Sequence, residues 1–172
     1  SDFFYPQAVE LAEKLQAIAP MPDTKIYLSN SGTEAIESAI KLAMFKTGRS
    51  KFIGFIGAFH GRTVGSLSFT ASKAVQRARF KSGVHVQRVP YPNPYRPILT
   101  PLNGETYGET VIRYLEEQIF GNVIDPSEIA GILIEPIQGE GGYIVPTPGF
   151  LPRLRDLCNE HGIMLIADEI QS

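Results

Sequence analysis

A carboxylate, Asp168, stands directly behind the apolar run Ile163-Met164-Leu165-Ile166-Ala167 and is followed by Glu169, Ile170 and Gln171. Such a run reads as a buried strand, and in open α/β sheets ligands bind outside the carboxyl ends of strands. An acid there is placed where chemistry usually happens. Three further apolar runs end in residues that can do chemistry. The first leads into Leu28-Ser29-Asn30-Ser31-Gly32-Thr33-Glu34-Ala35, where Ser31 and Glu34 have the spacing of a capping box. The free N–H groups of that helix start, the Thr33 hydroxyl and the positive end of the helix dipole suit a phosphate. The same residues also read as a cap and nothing more, and both readings stand.

The second run leads into Gly57-Ala58-Phe59-His60-Gly61-Arg62-Thr63. Phe59 reads either as a ring that stacks on a planar ligand or as ordinary core. Arg62 reads either as a planar fork for a substrate carboxylate or as half of a surface ion pair. The third, Ile132-Leu133-Ile134, runs into Glu135-Pro136-Ile137-Gln138-Gly139-Glu140-Gly141-Gly142. Glu135 and Glu140 are acids beside a cleft, or the segment is only a tight turn that glycine permits. Some chemistries are disfavoured. His60 lacks metal partners, since His85 and His161 fall in unrelated settings, and no nucleophile elbow accompanies it. No Walker lysine follows Gly32, and no G-x-G-x-x-G occurs.

The elements that must position these residues alternate. Apolar periodicity predicts helices over 6–18, 33–46, 109–120 and 150–161, and strands over 25–28, 52–56, 84–89, 129–134 and 163–167. Short strands alternating with longer helices imply an α/β fold of three layers, α/β/α, with a mostly parallel sheet and right-handed crossovers. The stretch Pro90-Tyr91-Pro92-Asn93-Pro94-Tyr95-Arg96-Pro97 excludes helix and central strand. It is a stiff loop, either plain surface or facing a substrate or a second subunit.

With 172 residues, 43% of them hydrophobic and 20% charged, the chain can bury a core. A net charge of -2 without a basic stripe argues against nucleic acid and against a charged membrane surface. The one cysteine, Cys158, lies in a helical apolar pattern and reads as a packed thiol rather than a reactive one. With no apolar signal segment and no membrane-length run, the expectation is a cytoplasmic protein.

Taken in order, Ser31-Gly32-Thr33-Glu34-Ala35, Phe59-His60-Gly61-Arg62-Thr63, Glu135 to Gly142 and Asp168-Glu169-Ile170-Gln171 resemble the class III pyridoxal-phosphate aminotransferases. The likeness extends over nearly the whole chain. It is greatest toward the 4-aminobutyrate, acetylornithine and ornithine aminotransferases, and the Pro-rich segment leans toward the first. The resemblance implies a cofactor, pyridoxal 5'-phosphate, in the large domain of a fold-type I enzyme. Gly32 and Thr33 would cup its phosphate, Phe59 and Ile170 would pack on the two ring faces, Asp168 would pair with the ring nitrogen, and Gln171 would approach the ring hydroxyl. Arg62 would hold a substrate carboxylate, while Glu135 and Glu140 would shape the substrate side.

It further implies amino acid and 2-oxo acid substrates, a homodimer, and a transaminase acting on 4-aminobutyrate or another ω-amino donor. The family's Schiff-base lysine has no counterpart here, since the lysines present, Lys41, Lys51 and Lys73 among them, fall elsewhere. Residues 1–172 are therefore expected to be part of a cofactor-binding large domain that is inactive alone, with the lysine and a small C-terminal domain further along a longer chain. Two other readings stay open: an aminomutase or amino-acid racemase of the same family, and a non-catalytic binding module.

Overall fold

The computed structural model describes residues 3–172, which form two compact units, one up to Asn30 and one over Ser31–Ser172. The first carries helix α1 (Pro6–Ile18), which begins at proline as expected of a residue with no N–H to satisfy. The Gln16 side-chain amide donates to the Thr24 carbonyl at 2.6 Å and closes the return of the chain. Residues 25–28 are extended, yet they do not form the expected strand. Their apolar character set that expectation, but a strand exists only where a second one takes up its N–H and C=O groups, and among the described residues no partner pairs with this run.

The second unit is built on a four-stranded, all-parallel sheet in the order β2-β1-β3-β4, from β1 (Lys51–Phe55), β2 (His85–Val89), β3 (Ile129–Ile134) and β4 (Met164–Ala167). All four lie where sequence periodicity placed strands. One register shift interrupts the sheet: Lys51 pairs with Ile129, but Phe52 pairs with Gly131. Ala130 is the extra residue of this bulge. Gly131 then lies beside the Phe52 ring, where a Cβ would come within 3.2 Å of Cε1.

Helices cover both faces, which makes three layers. On one face α2 (Gly32–Thr47) and α3 (Val64–Phe69) pack Ile36, Ile40, Ala43 and Phe69 against Phe52, Ala130 and Leu133. On the other, α4 (Tyr107–Arg113), its π-helical continuation Tyr114–Phe120 and α5 (Phe150–His161) bury Val111, Leu115, Leu154 and Leu157 against Ile53, Phe55, Ile132 and Ile134. Burial of each such side chain contributes about 1.5–3 kcal/mol. Every residue of β3 is buried, as the centre of a doubly covered parallel sheet requires. Helix α3 and two short 3-10 turns were not expected from the sequence. Helix α4 starts two residues earlier than periodicity placed it, at a capping box between Thr106 and Glu109. No helix among the described residues is long and apolar enough to cross a membrane.

Cys158 is fully buried on α5, and burial pushes its thiol pKa up to about 11. At pH 8 only about one molecule in a thousand would then carry a thiolate. Native protein is accordingly expected to resist a disulfide reagent that labels one thiol per chain once urea is added. Rapid labelling without denaturant would show that the α5 face opens.

Candidate active site

All nine residues singled out in the sequence meet at the carboxyl edge of the sheet. Gly32, Thr33, Phe59, Arg62, Glu135, Glu140, Asp168, Ile170 and Gln171 line one cleft of about 490 Å³, joined by His60 and Gly61. That volume suits a small cofactor or substrate. The cleft is built from the loops after β1, β3 and β4 together with the start of α2.

Ser31 caps α2, its hydroxyl accepting from the Glu34 N–H at 3.3 Å. Capping therefore falls to Ser31 and leaves Gly32 and Thr33 to the cleft, so the two readings of this motif are compatible. Thr33 Oγ1 lies 2.8 Å from Thr63 Oγ1 and 2.7 Å from Ser66 Oγ. Gly61 has φ of 125°, and a Cβ there would run into those Thr33 and Ser66 oxygens, so glycine is required for both reasons. A Cβ on Gly32 would come within 2.6 Å of Ile170 Cδ1, which brings the helix start against the segment after β4.

Asp168, in the wall of the cleft, is 7% exposed, and its backbone N–H donates to the Ile134 carbonyl at 2.8 Å, extending the ladder by one residue. Its Oδ1 accepts from the Ile170 N–H at 3.2 Å, and its Oδ2 lies 2.7 Å from His60 Nδ1. A carboxylate accepts, so Nδ1 carries the proton of that bond. The His60 side chain is fully buried, rests edge-on against Phe69, and its Nε2 has no hydrogen-bond partner among the described residues. His60 is the site residue that sequence reasoning passed over. The sequence raises it only as a metal ligand or as the base of a nucleophilic triad, and neither reading points to Asp168.

Glu135 is buried, and each of its oxygens holds a different loop: Oε2 accepts from the Phe59 N–H at 3.2 Å and Oε1 from the Gly139 N–H at 3.1 Å. Burial raises its pKa, a rise that those N–H groups and His60 oppose and Asp168 reinforces. Gln138 is the second tie, its amide donating to the Ile56 carbonyl at 3.0 Å while its backbone pairs with Ile144. Glu140, by contrast, stands exposed at the rim. The Arg62 guanidinium lies 5.7 Å from the centre of the Phe59 ring, and no carboxylate is within ion-pair distance of it among the described residues. The Pro-rich loop keeps one foot in this region: Tyr91 is buried and its hydroxyl donates to the Glu135 and Pro136 carbonyls at 3.0 and 3.1 Å. Tyr95 and Arg96 lie exposed.

Comparison with known proteins gives a consistent result. The family model described as aminotransferase class-III matches residues 1–172. The 4-aminobutyrate aminotransferase GabT of Escherichia coli is 41% identical over 172 residues, covering 98% of this chain and 38% of its own length. An acetylornithine aminotransferase of Methanopyrus kandleri is 40% identical over 100% of this chain and 38% of its own. An alanine/serine racemase of Pyrococcus horikoshii is 38% identical over 96% of this chain and 36% of its own. Among solved structures, an amine transaminase from an uncultivated Pseudomonas species, in its PLP-bound form, superposes with a TM-score of 0.87 at 31% identity, over 98% of this chain and 39% of that one. The chain thus spans less than two fifths of the length of these relatives.

Proposed function

Because the chain belongs to the class-III aminotransferase family, we propose that it is the cofactor-binding part of an enzyme that moves an amino group from an amino acid to a 2-oxo acid with pyridoxal 5'-phosphate. The donor proposed is 4-aminobutyrate or another ω-amino acid. The observation that carries this reading is the set of groups that share one cleft: a helix start with a hydroxyl, a buried carboxylate, and a guanidinium beside the Phe59 ring with no acid partner among the described residues. Those groups match a phosphate, a ring nitrogen and a substrate carboxylate.

When bound, pyridoxal phosphate supplies an aldehyde to take up the amino group and a ring that draws electrons from the substrate carbon. The residues of this chain hold and orient that group. Gly32 and Thr33 hold the phosphate. Asp168, kept in place by His60 and the Ile170 N–H, keeps a proton on the ring nitrogen, since a facing carboxylate favours the charged form. Phe59 and Ile170 confine the ring, and Gln171 reaches its hydroxyl. Arg62 binds a substrate carboxylate. Glu135 shapes the substrate side by fixing Phe59 and Gly139, and Glu140 does so from the rim.

No lysine is among the residues that line the cleft. The proton transfer at the substrate carbon needs such a base, so the segment alone is proposed to be inactive and its lysine to come from a longer polypeptide. A homodimer in the cytoplasm is part of the same proposal, resting on the family alone. The racemase relative, at 38% identity, supports a second reading on the same cofactor, interconversion of amino-acid enantiomers.

One assay separates the two. The full-length protein that carries this segment, loaded with pyridoxal phosphate and given an amino donor and a 2-oxo acid, is expected to form the new amino acid and the carbonyl product in equal amounts. Given a chiral amino acid such as L-alanine instead, inversion of its configuration without consumption of oxo acid would replace transamination by racemisation. Absence of any cofactor adduct after borohydride reduction, read by intact mass, would overturn both.

A further inference from the structure

The overall charge of -2 hides an uneven distribution. Between Glu37 and Glu105 the sequence has no acid, yet eleven of its sixteen lysines and arginines lie there, five of them from Lys73 to Arg88. Three of those five, Arg77, Lys81 and Arg88, line a cleft of about 80 Å³ beside the edge strand β2. Arg88 shares a strand face with Val84 and Val86, which pack against the cluster that contains Phe69 of α3. Arg77 closes the 3-10 turn Ala74–Gln76, and α3 adds Ser68 to the wall. This cleft shares no lining residue with the candidate active site.

The polar groups of the wall are satisfied, whereas the cations are not. The Ser68 hydroxyl donates to the Val64 carbonyl at 2.9 Å and accepts from the Gly83 and Val84 N–H groups at 3.0 and 3.1 Å. The Ser82 hydroxyl donates to the Val84 carbonyl at 2.5 Å. One terminal nitrogen of Arg88 donates to the Ser68 carbonyl, which fixes the plane of its guanidinium and leaves the other terminal nitrogen for a ligand. The Nε of Arg88 and the Nε of Arg77 are buried and have no hydrogen-bond partner among the described residues. Neither arginine nor Lys81 forms an ion pair among those residues, and no acid lines the cleft. Burial, and after it the charge of Arg77, lowers the Arg88 pKa. Cations drawn together out of water without a counter-charge are costly, and an anion between them offsets that cost.

Two planar forks suit the oxygens of carboxylate and phosphate alike, and three positive charges favour the more highly charged of the two. A cleft of about 80 Å³ holds about two or three water volumes, the space of one tetrahedral oxyanion. We propose that Arg77, Lys81 and Arg88 form a second anion site, apart from the candidate active site, that takes a phosphoryl group, free or at the end of a larger molecule.

The test titrates inorganic phosphate and glycerol phosphate into the full-length protein saturated with pyridoxal 5'-phosphate, at an ionic strength held constant with chloride, and reads binding by calorimetry. One saturable site is expected. Arg77→Gln and Arg88→Gln should each weaken both ligands about tenfold, the size of one lost charge-assisted hydrogen bond. Arg79→Gln makes the same change of net charge at an exposed arginine outside the cleft, and should stay within about twofold of the wild type. Tighter binding of glycerol phosphate would assign the site to a phosphoryl group on a larger molecule, and tighter binding of inorganic phosphate to the free ion. Absence of saturable binding would overturn the proposal. So would unchanged affinity in Arg77→Gln, or a loss in Arg79→Gln as large as in Arg77→Gln. If Arg88→Gln does not fold, Arg77→Gln decides by the same criteria.

Discussion

On the proposed transaminase reading, replacing Asp168 by Asn is expected to lower the rate of amino transfer by the full-length protein by about 10²- to 10³-fold, the cost of losing one preorganised charge at a reacting centre. The exchange preserves volume, and the local hydrogen bonds decide what it does. The carboxylate accepts from His60 Nδ1 at 2.7 Å and from the Ile170 N–H at 3.2 Å. An asparagine has one oxygen for these two donors: offered to His60, it leaves the NH₂ where Oδ1 accepted from the Ile170 N–H, so that bond is lost and a donor replaces an acceptor at the cleft wall. A donor in that place favours a ring nitrogen that has lost its proton, so the electron-withdrawing form of the ring is disfavoured by the same bond that held it before. Affinity for pyridoxal phosphate should fall by less than tenfold, since the groups at Gly32 and Thr33 are untouched. Single-turnover rates together with cofactor titration check both halves. A rate within a few-fold of the wild type would show that Asp168 does not face the ring nitrogen.

The sheet was legible in the sequence because parallel strands are buried on both faces, so β3 reads as six apolar or small residues in a row and needs no alternation to be found. Residues 25–28 carry a similar local signal and form no strand. Local apolar character measures the wish to be buried, whereas a strand depends on a partner that the segment itself does not encode. Helix α3 failed in the opposite direction. Its sequence, Val64-Gly65-Ser66-Leu67-Ser68-Phe69, has poor helix formers, and its first N–H groups are taken up by Glu37, nearly thirty positions earlier. No window over α3 contains that signal. The early start of α4 is different, because Thr106 and Glu109 stand at capping-box spacing in the sequence and mark it.

The site was legible for the same reason as the sheet: a residue at the carboxyl end of a parallel strand can be assigned an edge before its neighbours are known. What the sequence withheld is how the residues divide the work. Glu135 and Glu140 look alike as acids beside glycines, yet one is buried with each oxygen on a backbone N–H and the other stands in solvent. His60 withheld its role because its partner is Asp168, on another strand, and a histidine beside an aromatic residue and a glycine has no local mark of that contact.

The Glu135 clamp gives the second large effect. Glu135→Gln keeps the side chain's length but leaves one acceptor where two N–H groups converge, so either Phe59 or Gly139 loses its bond and faces an NH₂ instead. A buried donor without a partner costs about 1–3 kcal/mol, and the variant is expected to lose stability in that range. Activity should fall as well, because the Phe59 ring and the turn carrying Glu140 are the two parts released. The pH dependence carries the sign of the pKa shift. Burial raises the Glu135 pKa in the folded chain, so the stability it contributes is fully present below the ordinary carboxylate value and declines as pH rises through the folded value. Glutamine does not titrate, and the deficit of the variant should therefore be widest in acid and narrow toward neutral pH. Urea unfolding of both proteins from about pH 4 to about pH 7 would show it. A deficit that grew with pH would mean that the folded protein prefers Glu135 charged, and that the two N–H groups outweigh the loss of water around it.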